Sequence, residues 1–307
     1  MLAKGVLGGR TSTIGIIVPD IQVPPTITAN VAGAITAFRE AGFRALLFVT
    51  DYDPELEYEE IRQAAMRRVD GILLWGARFS SESGHLQELL LREIPTVIMA
   101  RPVDNVPFDV VTGKDFDDGY LLTQKLIEKG HRRIAHITLT ADAPSTAAYA
   151  RTAGWTKALE DAGIKVDRGL LLEWPGTDES IVKRVGEWLD LEDPPTALFI
   201  GGQHQLPPVL DLLRRRNLRM PDDISVATFI AGTRLNNALS LGGIGGIITA
   251  SSEIGRAAAM KLLALIEAGG PSDAPTELEI AGTWADGNST GPVPARSRRS
   301  GTGPSAN

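Results

Sequence analysis

The sequence has no cysteine and no long hydrophobic run. Because cysteine is absent from all 307 residues, disulfide bonds, thiolate nucleophiles and thiolate zinc ligands are excluded. No apolar stretch approaches the roughly 20 residues that cross a bilayer, and the N-terminus lacks the apolar segment of a secretory signal. We therefore expect a cytoplasmic protein that does not bind membranes.

Positive charge and metal-ligating patterns are also scarce. The chain has 31 lysines and arginines against 38 aspartates and glutamates, a formal net charge of −7, so contact with DNA requires a local basic element. An acidic run at residues 115–118 fits a solvated helix start better than a metal site. The four histidines lack ligand spacing: His85, His131, His136 and His204. We predict no metal, no cofactor and no catalytic site.

Short apolar segments alternate with helical patterns along the whole chain. The segments are almost continuously apolar, which is typical of parallel strands covered by helices on both faces. The repeated strand–helix order predicts a doubly wound α/β fold. Strands are predicted at residues 14–18, 45–49, 71–75, 96–99, 133–138, 169–173, 196–200 and 225–229, and helices at 29–41, 54–68, 85–92, 117–129, 147–162, 179–189, 206–216 and 253–268.

The strand–helix series runs twice, before and after about residue 113. We predict two Rossmann-like, doubly wound parallel-sheet subdomains with a ligand cleft between them, at the carboxyl ends of the strands. Several predicted helices end at a glycine, as helix C-termini commonly do. These glycines are Gly42, Gly130, Gly163 and Gly269.

Two glycine-rich segments look irregular. Residues 242–246 lack the spacing of a dinucleotide-binding loop and favour a mobile crossover. Residues 287–307 are rich in glycine, proline, serine and threonine without apolar periodicity, which predicts disorder. A Gly-x-Ser-x-Gly string at 287–291 lacks the preceding strand and following helix that a nucleophile elbow needs. We therefore expect a disordered tail without a catalytic role.

Six short strings, whose order and spacing match those of a known family, carry a resemblance. They are TIGIIVPDI at residues 13–21, AGF at 41–43, RVDGILL at 68–74, GHRRIA at 130–135, AGW at 153–155 and MPDDISV at 220–226. Over about residues 5–286 the chain resembles the LacI/GalR family of bacterial transcription regulators. The resemblance implies a periplasmic-binding-protein-like (type I) core that closes on a small effector, a homodimer, and operator DNA as a partner.

The resemblance also implies how the chain is divided. Residues 1–12 form a hinge remnant or leader, 13–113 plus about 246–272 an N-terminal subdomain, 114–245 plus about 273–286 a C-terminal subdomain, and 287–307 a tail. A strand near 276–281 is expected in the C-terminal half. Val6 and Leu7 match the hinge position that wedges into the DNA minor groove, although a disordered leader is the simpler interpretation. The family's DNA-reading headpiece is expected to be missing, so operator DNA is reached only through a restored headpiece.

The resemblance extends in part to the effector pocket. Arg151 matches an arginine that donates a bidentate fork to the ligand, with a helix-surface arginine as the alternative. Trp75 is either a cleft wall or a core residue. Two family positions with acidic residues have become Gly202-Gln203 and Ile230-Ala231, which predicts a positive, apolar pocket for a sugar acid or another anionic or aromatic metabolite, with a neutral sugar as the alternative. The predicted ligand-binding residues are Arg151, Ser145, Trp75, Gln203, Thr26, Arg101 and Thr249.

Three functions remain in competition. The first is the effector-sensing core of a LacI-like regulator, a repressor in the usual case. The second is a stand-alone solute-binding protein, which shares the fold but needs an export signal. The third is an enzyme, which needs a catalytic pair in the cleft that the sequence does not offer. The DNA immediately upstream of the Met1 codon separates the first from the second, because it encodes either a helix-turn-helix or a signal peptide.

Overall fold

A computed structural model describes residues 10–21, 25–75, 84–100, 107–139, 146–174, 176–231 and 243–294. The hinge residues Val6 and Leu7 lie outside this part of the chain. The described residues form eight α-helices and twelve strands in two six-stranded sheets. The predicted α/β class with two doubly wound, mainly parallel sheets is confirmed.

The first sheet is entirely parallel. Its strands are β1 (Thr13–Val18), β2 (Arg44–Val49), β3 (Gly71–Leu74), β4 (Thr96–Met99), β5 (Asp109–Gly113) and β11 (Glu277–Ile280). They lie in the order β11-β5-β4-β3-β1-β2. The helices packed on this sheet are α1 (Pro25–Glu40), α2 (Pro54–Met66), α3 (Gly84–Leu91) and α8 (Ser251–Ala268). We call this sheet and these helices the first lobe.

The second sheet is parallel except for its last strand. Its strands are β6 (Ile134–Leu139), β7 (Leu171–Trp174), β8 (Ala197–Ile200), β9 (Ser225–Ile230), β10 (Gly245–Ile248) and β12 (Thr283–Ala285). They lie in the order β12-β10-β9-β8-β6-β7, with β12 antiparallel to β10. The helices of this second lobe are α4 (Asp115–Glu128), α5 (Thr146–Asp161), α6 (Asp178–Leu189) and α7 (Leu206–Arg215).

The continuous apolar strands are explained by the layers that cover them. Successive residues of β1 serve different cores: Ile16 packs with α1 and α8, whereas Ile17 packs with α2 and α3 on the opposite face. In β8 of the second lobe, Leu198 and Phe199 divide in the same way. Because side chains alternate along a strand, both faces must be apolar when both are buried.

The predicted helix ends are confirmed at all four glycines. Gly42, Gly130, Gly163 and Gly269 have φ angles of 83°, 97°, 64° and 90°. This is the left-handed region that glycine enters without a steric cost.

The sequence misassigned the segments that pass between the lobes. The strand expected near 276–281 is β11, but it pairs with β5 in the first sheet and not in the C-terminal half. The glycine-rich segment runs from residue 243 into β10, which pairs with β9 in the second sheet, so residues 246–248 do not belong with the first. In β10, a Cβ on Gly246 would lie 1.8 Å from the Thr228 carbonyl oxygen. The glycine there permits close strand packing.

The prediction of disorder from residue 287 is wrong for residues 287–294. Ser289 and Thr290 are buried, and the Ser289 hydroxyl accepts from the Gly245 N–H and donates to the Val226 carbonyl. The Gly291 carbonyl contacts the buried ring of His131. The segment is held by backbone and hydroxyl hydrogen bonds, so it carries no apolar periodicity that a sequence pattern could reveal.

No helix in the described part of the chain is long and apolar enough to span a membrane.

Candidate functional site

A cavity of about 560 Å³ lies between the two lobes. It opens at the carboxyl ends of the strands of both sheets, where the loops of a doubly wound fold bind ligands. The first lobe contributes Trp75 after β3 and Gly113 at the end of β5, and the second contributes Trp174 at the end of β7 and Gly201 after β8. The cavity therefore lies where the sequence analysis expected a cleft.

Five of the seven predicted ligand-binding residues line this cavity. They are Arg151, Trp75, Gln203, Thr26 and Thr249. The other two, Ser145 and Arg101, lie outside the described residues. Their role as ligand contacts stays a prediction.

Arg151 is held in place from three sides. Its Nε donates to Asp115 Oδ1 over 2.7 Å, with Nη2 also 2.7 Å from that oxygen. Its Nη1 donates to the Gly201 carbonyl over 2.9 Å, and its guanidinium carbon lies 3.8 Å from the centroid of the Phe229 ring. Asp115 and Arg151 side chains are only 12% and 17% exposed. The fork is preorganised, since its charge partner and its stacking partner are both present without a ligand.

Two glycines set the position of Arg151. Helices α4 and α5 approach so closely that a Cβ on Gly119 would lie 2.5 Å from the Arg151 carbonyl oxygen, and one on Gly154 would lie 2.3 Å from that of Phe116. Any larger side chain would separate the helices. The Ala-Gly-Trp string that fixed the register of Arg151 in the sequence thus has a packing reason.

The other predicted residues are partly committed to the protein. Gln203 Oε1 accepts from the Ala231 N–H over 2.8 Å, and Thr249 Oγ1 lies 2.7 Å from the hydroxyl of Ser251. Trp75 is half-buried and packs on the first-lobe core while it lines the cavity. The two interpretations of Trp75 are therefore compatible.

The expectation of a positive pocket is not supported by the structure. Asp20, Asp115 and Asp118 all line the cavity. The acidic run at residues 115–118 is only partly a solvated face: Asp117 is exposed, but Asp118 is 5% exposed and Asp115 pairs with Arg151. Two family positions have lost acidic residues, but the start of α4 supplies Asp115 and Asp118 to the same cavity. The field in the cavity is therefore not dominated by Arg151.

Asp118 connects the second lobe to a crossover between the lobes. Both of its carboxylate oxygens lie 3.0 Å from the Gly282 N–H, between β11 and β12. Burial raises the pKa of Asp118 to about 6, with a contribution from the charge of Asp115, against the hydrogen bond from Gly282. The carboxyl group is thus charged at neutral pH at a cost to stability.

Replacement of Asp118 by asparagine is expected to stabilise the protein in a pH-dependent way. Because the folded pKa lies above the ordinary value of 3.8, the folded chain binds the proton more tightly, and stability from this group is lost as the pH rises from about 4 to above 6. Asp118→Asn keeps an acceptor for Gly282 and removes the charge. Its free energy of unfolding should exceed that of the parent by about 1–2 kcal/mol at pH 7.5 and match it near pH 4.

The measurement is urea unfolding of both proteins between pH 4 and pH 8. The difference between them isolates Asp118, because burial lowers the pKa of His136 to about 4 and so destabilises both proteins in acid. Asp117→Asn is the matched control, since that carboxylate is 60% exposed beside Lys114. A difference that does not vary with pH would contradict the prediction.

The sequence analysis missed an aromatic wall in the second lobe. The rings of Trp174 and His204 lie 5.4 Å apart between centroids, and both residues line the cavity together with Phe229. Burial, with the charge of Arg151, lowers the pKa of His204, so this ring is neutral at pH 7. The signal was available: Trp174 and Phe229 lie at the carboxyl ends of strands, where cleft residues are found.

Within the residues that the structure describes, no three histidine, aspartate or glutamate side chains group as a metal site.

The fold and the cavity define a class: a two-lobed binding domain whose ligand site lies between the lobes. The model of the periplasmic binding protein-like domain family matches residues 123–290, more than half of the chain. The chain belongs to this family, and the resemblance to LacI/GalR regulators is confirmed by its relatives.

One such relative is DegA of Bacillus subtilis strain 168, an HTH-type transcriptional regulator. It is 30% identical over 229 residues, which are 74% of this chain and 66% of DegA. The chain thus spans slightly less than two thirds of the length of DegA.

Solved structures agree on the fold. A complex of the transcriptional regulator CelR with cellobiose has a TM-score of 0.77 at 25% identity, over 91% of this chain and 85% of that one. A LacI family transcriptional regulator from Enterococcus faecium with bound ribose also has a TM-score of 0.77, at 22% identity, over 92% of this chain and 99% of that one.

Proposed function

We propose that this chain is the effector-sensing core of a LacI-type transcription regulator. The observation that carries the proposal is the cavity between the lobes, with a preorganised Arg151 on one wall and aromatic rings beside it. A ligand that contacts both lobes favours their closed arrangement, and this difference in affinity is what couples binding to a conformational change.

The charges of the cavity favour a neutral effector over an anionic one. Arg151 is already paired with Asp115, and two further carboxylates, those of Asp20 and Asp118, lie on the same cavity. An anionic effector would lie close to the negative charge of these carboxylates, which disfavours its binding. Neutral hydroxylated molecules can use the carboxylates as acceptors and stack on Trp75 or Trp174. The cellobiose and ribose bound by the two solved regulators are of this kind.

The remaining elements of the function extend the same proposal. The chain acts on operator DNA through a helix-turn-helix headpiece, assembles as a homodimer, works in the cytoplasm and catalyses no reaction. The regulatory character of its relatives supports this, and a chain with a formal net charge of −7 needs a local basic element, such as that headpiece, to bind DNA. An in-frame helix-turn-helix upstream of the Met1 codon is expected. A signal peptide there would favour the solute-binding protein.

A thermal-shift screen tests the sensing function. The panel is D-ribose, D-glucose, cellobiose, gluconate, galacturonate, adenosine and benzoate. A ligand at about 100 times its Kd adds about 2.7 kcal/mol to stability, which raises the Tm of a chain of this size by about 5 °C or more. We expect a neutral member of the panel to give the largest shift.

Two variants of α5 show whether a shift comes from the cavity. Ala147→Trp fills the cavity that Ala147 lines and should abolish the shift. Tyr149→Trp changes an exposed residue of the same helix and should retain it. The proposal of an effector in this cavity would be contradicted if no compound raised the Tm, or if a compound raised the Tm of Ala147→Trp as much as that of the parent.

A further inference from the structure

Two buried carboxamides line the cavity from opposite lobes. Asn30 lies in α1 of the first lobe and is 2% exposed, and Gln205 lies just before α7 of the second lobe and is 1% exposed. Both belong to the wall of the cavity. Neither was singled out in the sequence, because no motif marks Asn30 within its apolar helix or distinguishes Gln205 from the neighbouring Gln203 and His204.

Each amide uses only one of its two polar atoms. Asn30 Nδ2 donates to the Thr26 carbonyl over 2.8 Å, and Gln205 Oε1 accepts from the Gly202 N–H over 3.1 Å. Asn30 Oδ1 and Gln205 Nε2 are buried and have no hydrogen-bond partner among the described residues.

The partners fix the orientation of both amides. A carbonyl can only accept, so the NH₂ group of Asn30 must face Thr26 and its oxygen must face away. An N–H can only donate, so the oxygen of Gln205 must face Gly202 and its NH₂ group must face away. The unpartnered atoms are therefore an acceptor on the first lobe and a donor on the second.

Buried polar atoms in native proteins are nearly always paired, because leaving them unpaired is costly. We infer that Asn30 and Gln205 grip the effector across the cleft, Asn30 by accepting a hydrogen bond from it and Gln205 by donating one. This rests on the proposed function. The effector then presents a donor to the first lobe and an acceptor to the second, as hydroxyl groups of a neutral polyol do. A carboxylate could satisfy Gln205 but has no donor for Asn30.

The position on the cavity separates these two amides from other unpaired atoms. Thr112 Oγ1 and Thr290 Oγ1 are also buried without a partner in the described chain, but neither residue lines the cavity. Thr112 belongs to β5 of the first lobe, and Thr290 lies beside β10 of the second. The chain thus contains a matched control for each amide.

Two substitutions remove the free atoms and keep the local contacts. Asn30→Leu keeps the number and branching of the side-chain heavy atoms, and the Thr26 carbonyl keeps its α-helical bond from the backbone N–H of residue 30. Gln205→Glu keeps an oxygen for Gly202 and replaces the donor by an acceptor. Thr112→Val and Thr290→Val are the controls, since each removes an unpaired hydroxyl away from the cavity.

The experiment is calorimetric titration of all variants with cellobiose, D-ribose and the compound of the panel with the largest shift. Loss of one ligand hydrogen bond should weaken binding about tenfold or more in Asn30→Leu and in Gln205→Glu. Both threonine variants should bind within about twofold of the parent. Unchanged affinity in both amide variants would overturn the inference while leaving the sensing function intact.

A second readout does not need a ligand. The ligand-free Tm of Asn30→Leu should equal or exceed that of the parent, because a buried unpaired oxygen is replaced by an apolar group. If no compound binds the parent protein, the proposed function loses its support, and this measurement still decides the case of Asn30. A clear fall in its ligand-free Tm would show that Asn30 has a structural role, and it would overturn the inference.

Discussion

Arg151→Ala is expected to lose effector binding and stability together. The substitution removes the ion pair with Asp115, the bond to the Gly201 carbonyl and the stack on Phe229. It leaves Asp115, whose side chain is only 12% exposed, without its cation. Breaking one side of a buried ion pair costs about 3–5 kcal/mol, and partial solvation of this pair places the expected loss near the lower value.

The measurement is urea unfolding, followed by titration of the folded fraction with the effector. Arg184→Ala is the matched control, because Arg184 also has a carboxylate partner, Glu187, and an aromatic neighbour, Trp188. Its side chain is 38% exposed, so its loss should cost about 0.5 kcal/mol or less. Arg151→Lys keeps the charge but cannot span both partners, and should recover only part of the stability.

Equal stability of Arg151→Ala and the parent would contradict this description of the pair. A double variant with Asp115→Asn separates the contributions. If Arg151→Ala lowers the free energy of unfolding because the buried Asp115 carboxylate has lost its cation, the double variant should be more stable than Arg151→Ala alone. The sequence analysis placed Arg151 on the cleft but could not assign its partner, because 36 residues separate Arg151 from Asp115.

Most strands inside each lobe could be predicted because buried strands are rich in apolar residues, although the buried strand β5 (Asp109–Gly113) was missed. Every predicted strand up to residue 230 corresponds to an observed one within about two residues, since helices on both faces require continuous apolar segments. The segments that cross between the lobes have no comparable apolar pattern. β11 reads ELEI, and three of its four residues are exposed, so nothing in the segment itself indicates which sheet it joins.

The same division applies to the site. Positions that follow a strand or sit in a family string could be located, and five of them line the cavity. The hydrogen bonds and ion pairs between the site residues could not be predicted, because they join residues that are distant in sequence. Asp118 accepts a hydrogen bond from Gly282, which is distant in sequence. Asn30 and Gln205 line the same cavity from different lobes. The acidic run at residues 115–118 and the two amides therefore could not be distinguished from ordinary helix residues by sequence.

A chain that ends after Asp286 is expected to be severely destabilised. Residues 287–294 supply the Ser289 carbonyl to the Val226 N–H and the Asn288 N–H to the Gly243 carbonyl. The Ser289 hydroxyl binds both β9 and β10, and the Gly291 N–H donates to the hydroxyl of Ser225. Removal leaves several buried groups of the second sheet unpaired, at about 1–3 kcal/mol each, which approaches the whole stability of a typical domain.

Two further chains make the test specific. A chain that ends after Pro294 retains all of these bonds and should unfold within about 2 °C of the 307-residue chain. Ser289→Ala removes only the hydroxyl bonds to Gly245 and Val226, and should lower the free energy of unfolding by about 2 kcal/mol. The measurements are soluble yield and thermal unfolding by circular dichroism. A soluble chain ending at Asp286 with an unchanged Tm would show that the segment does not stabilise the second sheet, and it would restore the prediction of a disordered tail from residue 287.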